Sequence, residues 1–320
     1  MPANRLRASS PEPRFPDHLM SSTPIADQQT ERANAPPEPS LARVRDLVYK
    51  VCGIYLPDNK FYFLNDRCGR RLKSLKQDSL RAYYDMLTTG SDRDTEIRNL
   101  LNEITVGETC FFRSPQQLSA LQKIVLPKIM EAKEKLSFTR LKLWSAGTST
   151  GEEPYTLAMM LLEESATTLK KWSWEIIATD LNDRSLAKAR EGVYDAYSLR
   201  NTPPHFQQKY FRPQGQEFVI SAEVKKHVTF SRLNLLDESK LLFMKGNDII
   251  FCANVLIYFD GASKRRTVHH FYNSLLPGGY FFLGHSESLY GVSDEFHLVH
   301  FPGATAYHRP SQTPSGGVIR

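Results

Sequence analysis

The 320-residue sequence has no run of 18 apolar residues and no N-terminal charged-then-apolar signal, so neither a membrane span nor secretion is expected, and the chain reads as cytoplasmic. Cysteine is scarce: Cys52, Cys68, Cys110 and Cys252 are widely scattered and form no Cys-x-x-Cys pair, which points to free thiols rather than a disulfide framework. The histidines do not stand at metal-ligand spacing, and adjacent His269 and His270 point different ways on a helix, so no metal site is expected. Two phosphate-binding signatures are also missing, the Gly-x-Gly-x-x-Gly of dinucleotide enzymes and the Gly-Lys-Ser/Thr of a P-loop. The net charge of +6 and pI near 9.0 favour acidic partners. Charge alone leaves nucleic acid, membrane surface and carboxylate-bearing protein open. The aromatic-basic interleaving of RNA modules is not found in the basic stretch Leu64 to Asp78 and no base-stacking pocket is identifiable, so no nucleic-acid partner is expected, although charge leaves that alternative open.

What is present divides along the chain. Residues 1–40 hold eight of the 19 prolines and almost no apolar periodicity, and are expected to be a disordered tail. Residues 41–115 read as a helical domain and linker. Leu41, Val44, Leu47 and Val48 form one stripe, with further helices over Leu64 to Leu75, Leu80 to Leu87 and Ile97 to Ile104. Over 116–309 strands alternate with helices, which implies a mostly parallel sheet covered on both faces. The strands are expected at Leu141 to Ala146, Glu175 to Thr179, His227 to Phe230, Asp248 to Ala253 and Tyr280 to Gly284. Two more, near Phe296 to Phe301 and Ala304 to His308, are separated by Pro302-Gly303 and read as a hairpin that adds an antiparallel strand. The stretch from Val193 to Val228 is less regular, with a short hairpin around Gly215, and residues 310–320 read as a flexible tail.

The chemistry concentrates where Leu141-Lys-Leu-Trp-Ser-Ala146 runs into Gly147-Thr-Ser-Thr-Gly151 and then a helix beginning near Glu152. Gly147 and Gly151 allow a tight turn and close approach to a ligand, and Ser149 and Thr150 are candidates to cap the helix. Alone this is weak, since glycine often serves only to turn. The next strand, Glu175 to Thr179, ends at Asp180, 29 residues after Gly151, where a carboxylate can accept both hydrogen bonds of a ribose diol. Capping of the following helix is assigned instead to Asp183. Glu152 and Glu153 crowd the helix N-terminus where a pyrophosphate would sit, which disfavours phosphate and suits a cationic ligand such as a sulfonium.

Six motifs in order carry a resemblance: Asn102-Glu-Ile-Thr-Val-Gly-Glu-Thr-Cys-Phe-Phe-Arg113, Trp144-Ser-Ala-Gly-Thr-Ser-Thr-Gly-Glu-Glu-Pro-Tyr155, Asn234-Leu-Leu-Asp237, Phe251-Cys-Ala-Asn-Val-Leu-Ile-Tyr-Phe-Asp260, Leu276-Pro-Gly-Gly279 and Gly284-His-Ser-Glu287. From about Leu41 to Arg309 the chain resembles the chemotaxis-receptor protein-glutamate O-methyltransferases. The resemblance implies a Rossmann-like α/β methyltransferase fold that uses S-adenosyl-L-methionine, preceded by a small helical domain. It also implies methylation of glutamate side chains on a chemoreceptor cytoplasmic coiled coil, giving methyl esters and S-adenosylhomocysteine. In some family members the region of the short hairpin carries a β subdomain that docks onto a peptide at the receptor's end.

The same resemblance assigns the site. Gly107, Thr109, Arg113, Glu152 or Glu153, Asp180, Asn234, Leu235, Cys252 and Ala253 would line the cofactor pocket, with Asp180 on the ribose and Asn234 near the adenine. Arg113, after two aromatic residues, is the first candidate to grip the substrate or the methionine carboxylate by a forked hydrogen bond. Tyr258 would orient the substrate carboxylate near the methyl group. That carboxylate is already ionised at pH 7, so alignment and water exclusion rather than a general base should carry catalysis. Arg67, Arg70 and Arg71 share a helix face and are candidates to meet the acidic receptor helix.

Two positions depart from the family's usual pattern, Gly107 where Asn is common and Ala253 where Arg is common. They support a second reading, a catalytically weak or inactive cofactor-binding module of the same fold. A third reading, a serine hydrolase with its elbow at Gly284-His-Ser-Glu-Ser288, fails because Gly is expected at 288 and too little chain follows.

Overall fold

A computed structural model describes residues 38–105 and 107–311. Of the expected tails over 1–40 and 310–320, residues 1–37 and 312–320 lie outside the described residues, and Pro39 and Ser40 belong to the first helix. Four helices come first: α1 (Pro39–Cys52), α2 (Phe61–Leu75), α3 (Leu80–Thr89) and α4 (Arg93–Ile104). Each buries an apolar stripe at helical spacing, with Leu41, Val44 and Val48 from α1, Leu64 and Cys68 from α2, Tyr83 and Leu87 from α3, and Leu100, Leu101 and Ile104 from α4. Proline in the first turn of α1 costs no hydrogen bond, and Gly53 at φ 73° closes its carboxyl end.

The bundle also buries charge. The Arg71 guanidinium donates to both oxygens of Glu96, Nε to Oε1 at 2.9 Å and Nη2 to Oε2 at 2.7 Å, and Tyr83 donates to Oε1 at 2.8 Å. Arg71 is therefore inside the bundle and is not part of a basic docking face. Its neighbours on α2 differ: Arg70 is exposed beside Asp66, and Arg67 lies over the Phe63 ring.

The remaining elements are α5 (Pro115–Ala120), a π-helical turn, α6 (Leu126–Glu134), β1 (Arg140–Ala146), α7 (Glu152–Ser165), β2 (Ser173–Asp180), α8 (Asp183–Glu191), β3 (Val193–Tyr194), α9 (Pro204–Tyr210), β4 (Phe211–Gln214), β5 (Glu217–Ile220), α10 (Ala222–Lys225), β6 (Val228–Arg232), α11 (Glu238–Leu241), β7 (Asn247–Cys252), α12 (Gly261–Ser274), β8 (Leu275–Leu283), β9 (His297–Phe301) and β10 (Ala304–His308). Seven strands form one sheet in the order β6-β2-β1-β7-β8-β10-β9. The first five are parallel, and β10 is antiparallel to both neighbours, as the Pro302-Gly303 hairpin required. All six residues of β7 are buried, as a central parallel strand covered on both faces demands.

Alternation along β1 shows how the faces divide. Leu141 and Leu143 belong to a core with Tyr155 of α7, Val125 and Met130 of the α5–α6 region, and Tyr194 and Phe211 of the small sheet. Trp144 and Ala146 belong to the opposite core, with Phe271 of α12 and with Val48, Leu64 and Tyr83 of the bundle. Trp144 meets Phe271 edge-on at 5.1 Å between ring centroids, and its indole N–H donates to Thr179 Oγ1 at 2.9 Å.

The irregular stretch contains more than the hairpin around Gly215. β3, β5 and β4 form a three-stranded antiparallel sheet in that order. β3 has only two residues, too few to show an alternation.

Candidate functional site

The strand order reverses between β1 and β7, and a crevice opens there beyond the carboxyl ends of the parallel strands. It encloses about 680 Å³ and is lined from both halves of the chain. The bundle contributes Ile54, Tyr55 and Lys60 from the segment between α1 and α2. The connection before α5 adds Gly107, Thr109 and Arg113, the turn after β1 adds Gly147 to Ser149, and α7 adds Glu153. Asp180 ends β2, Asn234 and Leu235 follow β6, and Ala253 to Val255 with Ile257 and Tyr258 follow β7.

Local backbone geometry explains the turn after β1. Gly147 sits at φ 76°, and a Cβ there would lie 2.3 Å from Val255 Cγ2, so only glycine lets the turn and the loop after β7 approach this closely. The N-cap of α7 is Gly151 at φ 95° and has no side-chain cap; neither Ser149 nor Thr150 caps it, because Thr150 Oγ1 donates to Glu152 Oε2 at 2.6 Å instead. Ser149 places its backbone N–H 2.7 Å from Asp180 Oδ2, and the other oxygen, Oδ1, accepts from Asn182 N at 2.8 Å. α8 is capped by Asn182, one residue before the expected Asp183, through bonds from the N–H groups of Arg184 and Ser185.

Two acids form the inner wall. Burial raises the Asp180 carboxyl above its ordinary value, against the pull of the N–H groups of Asn182, Ser149 and Leu181. Burial pushes Glu153 up to about 7, opposed by the hydroxyl of Ser145, which donates at 2.7 Å, and by the field of Arg113. Arg113 is exposed at the outer end, with Nη1 donating to the Glu108 carbonyl at 2.8 Å, so its remaining N–H groups stay free for a carboxylate. Partial burial raises the Tyr258 phenol, Arg113 pulling it the other way, which keeps it a hydrogen-bond donor at neutral pH.

The structure thus brings Gly107, Thr109, Arg113, Glu153, Asp180, Asn234, Leu235, Ala253 and Tyr258 to one crevice. Two expected residues stand outside its lining. Glu152 is buried toward Thr150, and its carboxyl is raised by that burial. Cys252 alternates to the far face of β7, fully enclosed in the core with Trp144 and Ile250. The Asn234 side chain lines the crevice but is committed locally, with Nδ2 donating to Val51 O at 2.6 Å and Oδ1 accepting from Leu236 N at 3.1 Å.

At the departure position 107, a Cβ would meet Ser149 Oγ at 2.4 Å, and that hydroxyl donates to the Gly107 carbonyl at 3.3 Å. The serine side chain therefore occupies space that a larger residue at 107 would take. Tyr55 and Lys60 were missed by sequence reasoning because they lie between helices, outside any motif. Among the described residues no group of three His, Cys, Asp or Glu could hold a metal ion, and no helix is long and apolar enough to cross a membrane.

A carboxylate at Asp180, an acid at Glu153 with no ion-pair partner in contact among the described residues, and an apolar wall of Leu233 and Leu235 fit an adenosine carrying a cationic amino-acid arm. Fold and crevice together define an S-adenosylmethionine-dependent methyltransferase. The family model "CheR methyltransferase, SAM binding domain" matches residues 107–304, and "CheR methyltransferase, all-alpha domain" matches 39–105. Chemotaxis protein methyltransferase 2 of Vibrio cholerae is 36% identical over 275 residues, covering 85% of this chain and 93% of that protein. The chemotaxis protein methyltransferase of Borreliella burgdorferi is 34% identical over 252 residues, covering 78% and 88%. Chemotaxis protein methyltransferase 1 of Pseudomonas aeruginosa is 34% identical over 260 residues, covering 80% and 92%. The chain belongs to the CheR methyltransferase family, and its cofactor is S-adenosylmethionine.

Proposed function

We propose that this protein methylates glutamate side chains on the cytoplasmic helices of a chemoreceptor, yielding glutamate γ-methyl esters and S-adenosylhomocysteine. The observation that carries the reading is the order of charge through the crevice. Half-buried acids, Asp180 and Glu153, form the inner wall, and at the outer end two exposed cations, Arg113 and Lys60, outnumber one exposed acid, Glu108. A cationic donor inside and an anionic acceptor outside match that order.

When bound, the cofactor supplies a sulfonium methyl group open to in-line displacement. Asp180 holds the ribose diol with the lone pairs left by its two backbone bonds. Glu153 neutralises the ammonium of the methionine arm. Leu233 and Leu235 form the apolar wall for the base. Arg113 receives the incoming glutamate carboxylate, and Tyr258 donates to one of its oxygens so that the other faces the methyl group. The nucleophile is an anion before it arrives, so no proton has to be removed. Proximity and orientation alone can supply about 7 to 11 kcal/mol of the barrier. Arg70, exposed on α2, is a candidate contact for the acidic receptor helix, with Arg67 partly screened by Phe63 and Asp66. A cytoplasmic location goes with this reading, since the receptor's signalling helices lie there.

The test is incubation with labelled S-adenosylmethionine and receptor cytoplasmic fragments, scoring base-labile methyl groups. Ester formation is expected, falling to background in Arg113→Ala. The second reading, a cofactor-binding module with little catalysis, draws on Gly107 and Ala253. Tight S-adenosylhomocysteine binding without ester formation on any fragment would select it.

A further inference from the structure

The Gly284-His-Ser-Glu287 turn after β8 takes no part in the cofactor or substrate contacts described above, yet its carboxylate converges on the loop after β7. Glu287 Oε2 accepts from the backbone N–H of Asn254 at 2.6 Å and of Gly284 at 2.9 Å, and Oε1 accepts from Ile257 N at 3.2 Å. The turn closes on itself as Glu287 N donates to the Gly284 carbonyl at 2.9 Å. Asn254 stands at φ 59°, in the left-handed region that asparagine enters more readily than other side-chain-bearing residues. A Cβ at Gly284 would lie 2.8 Å from both Asn254 N and Asn254 Oδ1, so the two loops touch with no room for a methyl group. The far end of the same loop is fixed from the bundle, where Tyr55 N donates to the Tyr258 carbonyl at 2.8 Å.

We infer that Glu287 is a positioning residue for methyl transfer: it anchors the left-handed start of the loop after β7 and so fixes Tyr258 at the outer end of the crevice. The inference rests on the reading of Tyr258 given above. Three N–H donors share two oxygens, and a carboxylate suits this because charge strengthens every bond. A glutamine keeps the shape but offers one acceptor oxygen and turns an NH₂ group toward one of the backbone donors.

The experiment compares the full chain with Glu287→Gln in three measurements: amide hydrogen exchange over 254–258, S-adenosylhomocysteine affinity by calorimetry, and kcat per binding-competent site with a receptor fragment. Exchange over 254–258 should quicken and kcat fall at least tenfold, while product affinity and KM for the fragment stay within threefold. A merely structural role would lower the number of competent sites and leave kcat per site unchanged. Unaltered exchange overturns the anchor, and faster exchange with intact kcat overturns the positioning role. If the unaltered chain esterifies no fragment, the reading of the crevice fails and exchange alone decides whether Glu287 anchors the loop. Should Glu287→Gln fail to fold, Gly284→Ala pushes the same loop from the same side and carries the same readouts.

Discussion

Glu153 carries an unusual burden for a surface-connected carboxylate, because the crevice removes much of its hydration before any ligand arrives. With its carboxyl pushed up to about 7, roughly half of the molecules hold it protonated at neutral pH. An ammonium beside it favours the charged form and pulls that value down, so ligand binding must expel a proton. The sign is definite: affinity rises as pH climbs through about 7 and levels off above it. Between pH 7 and pH 6 the ionised fraction falls about fivefold, and the affinity for S-adenosylhomocysteine should fall by a similar factor. Calorimetry in two buffers of different ionisation enthalpy should register the released proton. In Glu153→Gln both the slope and the proton release should vanish, and a slope that survives would place the titrating group elsewhere.

The helices of the bundle are tied by charge as well as by apolar stripes, since Arg71 of α2, Tyr83 of α3 and Glu96 of α4 meet in one enclosed cluster. Burial works to raise the Glu96 carboxyl, but bonds from Arg71, Tyr83 and Asn99 outweigh it and hold the carboxyl below the usual range. Arg71→Met removes one partner and leaves Glu96 enclosed, which should cost about 3 to 5 kcal/mol in chemical denaturation. Because the folded value is depressed, the stabilisation is complete above the unfolded carboxyl value of about 4.3 and is lost as pH falls through the lower folded value. The variant should therefore show a shallower acid limb. This cluster also marks where sequence reading stops. β1, β2 and β7 were legible because central strands are apolar runs with sharp polar ends, Asp180 because it ends such a strand, and Glu153 because it opens the helix that follows the glycine turn after another. Arg71 read as a surface cation because its partner lies 25 residues away, and Glu287 read as part of a turn because Asn254 is 33 residues distant. Each partner lies on a different element, where no local period can pair them, so only packing reveals them.

At the scale of the molecule, the bundle and the sheet share one core. Val48, Leu64 and Tyr83 belong to the same buried cluster as Trp144, Ile250 and Phe281, and Ile54 bridges to Phe259 across the two regions. Separating them would bare the Trp144 face of the sheet to water, at roughly 25 cal/mol for each Å² exposed. The two regions should therefore unfold together, although the family models treat them as separate segments. All three tryptophans, Trp144, Trp172 and Trp174, lie in the sheet half, so indole fluorescence reports that half while far-ultraviolet dichroism reports helices throughout. The two signals should trace coincident urea transitions. The crevice has walls from both regions, so S-adenosylhomocysteine bound there should move both signals by the same amount, about 2.7 kcal/mol at a hundredfold excess over Kd. If the fluorescence midpoint alone shifted with the ligand, the bundle would be an independent unit, and Tyr55 and Lys60 would have no part in closing the crevice.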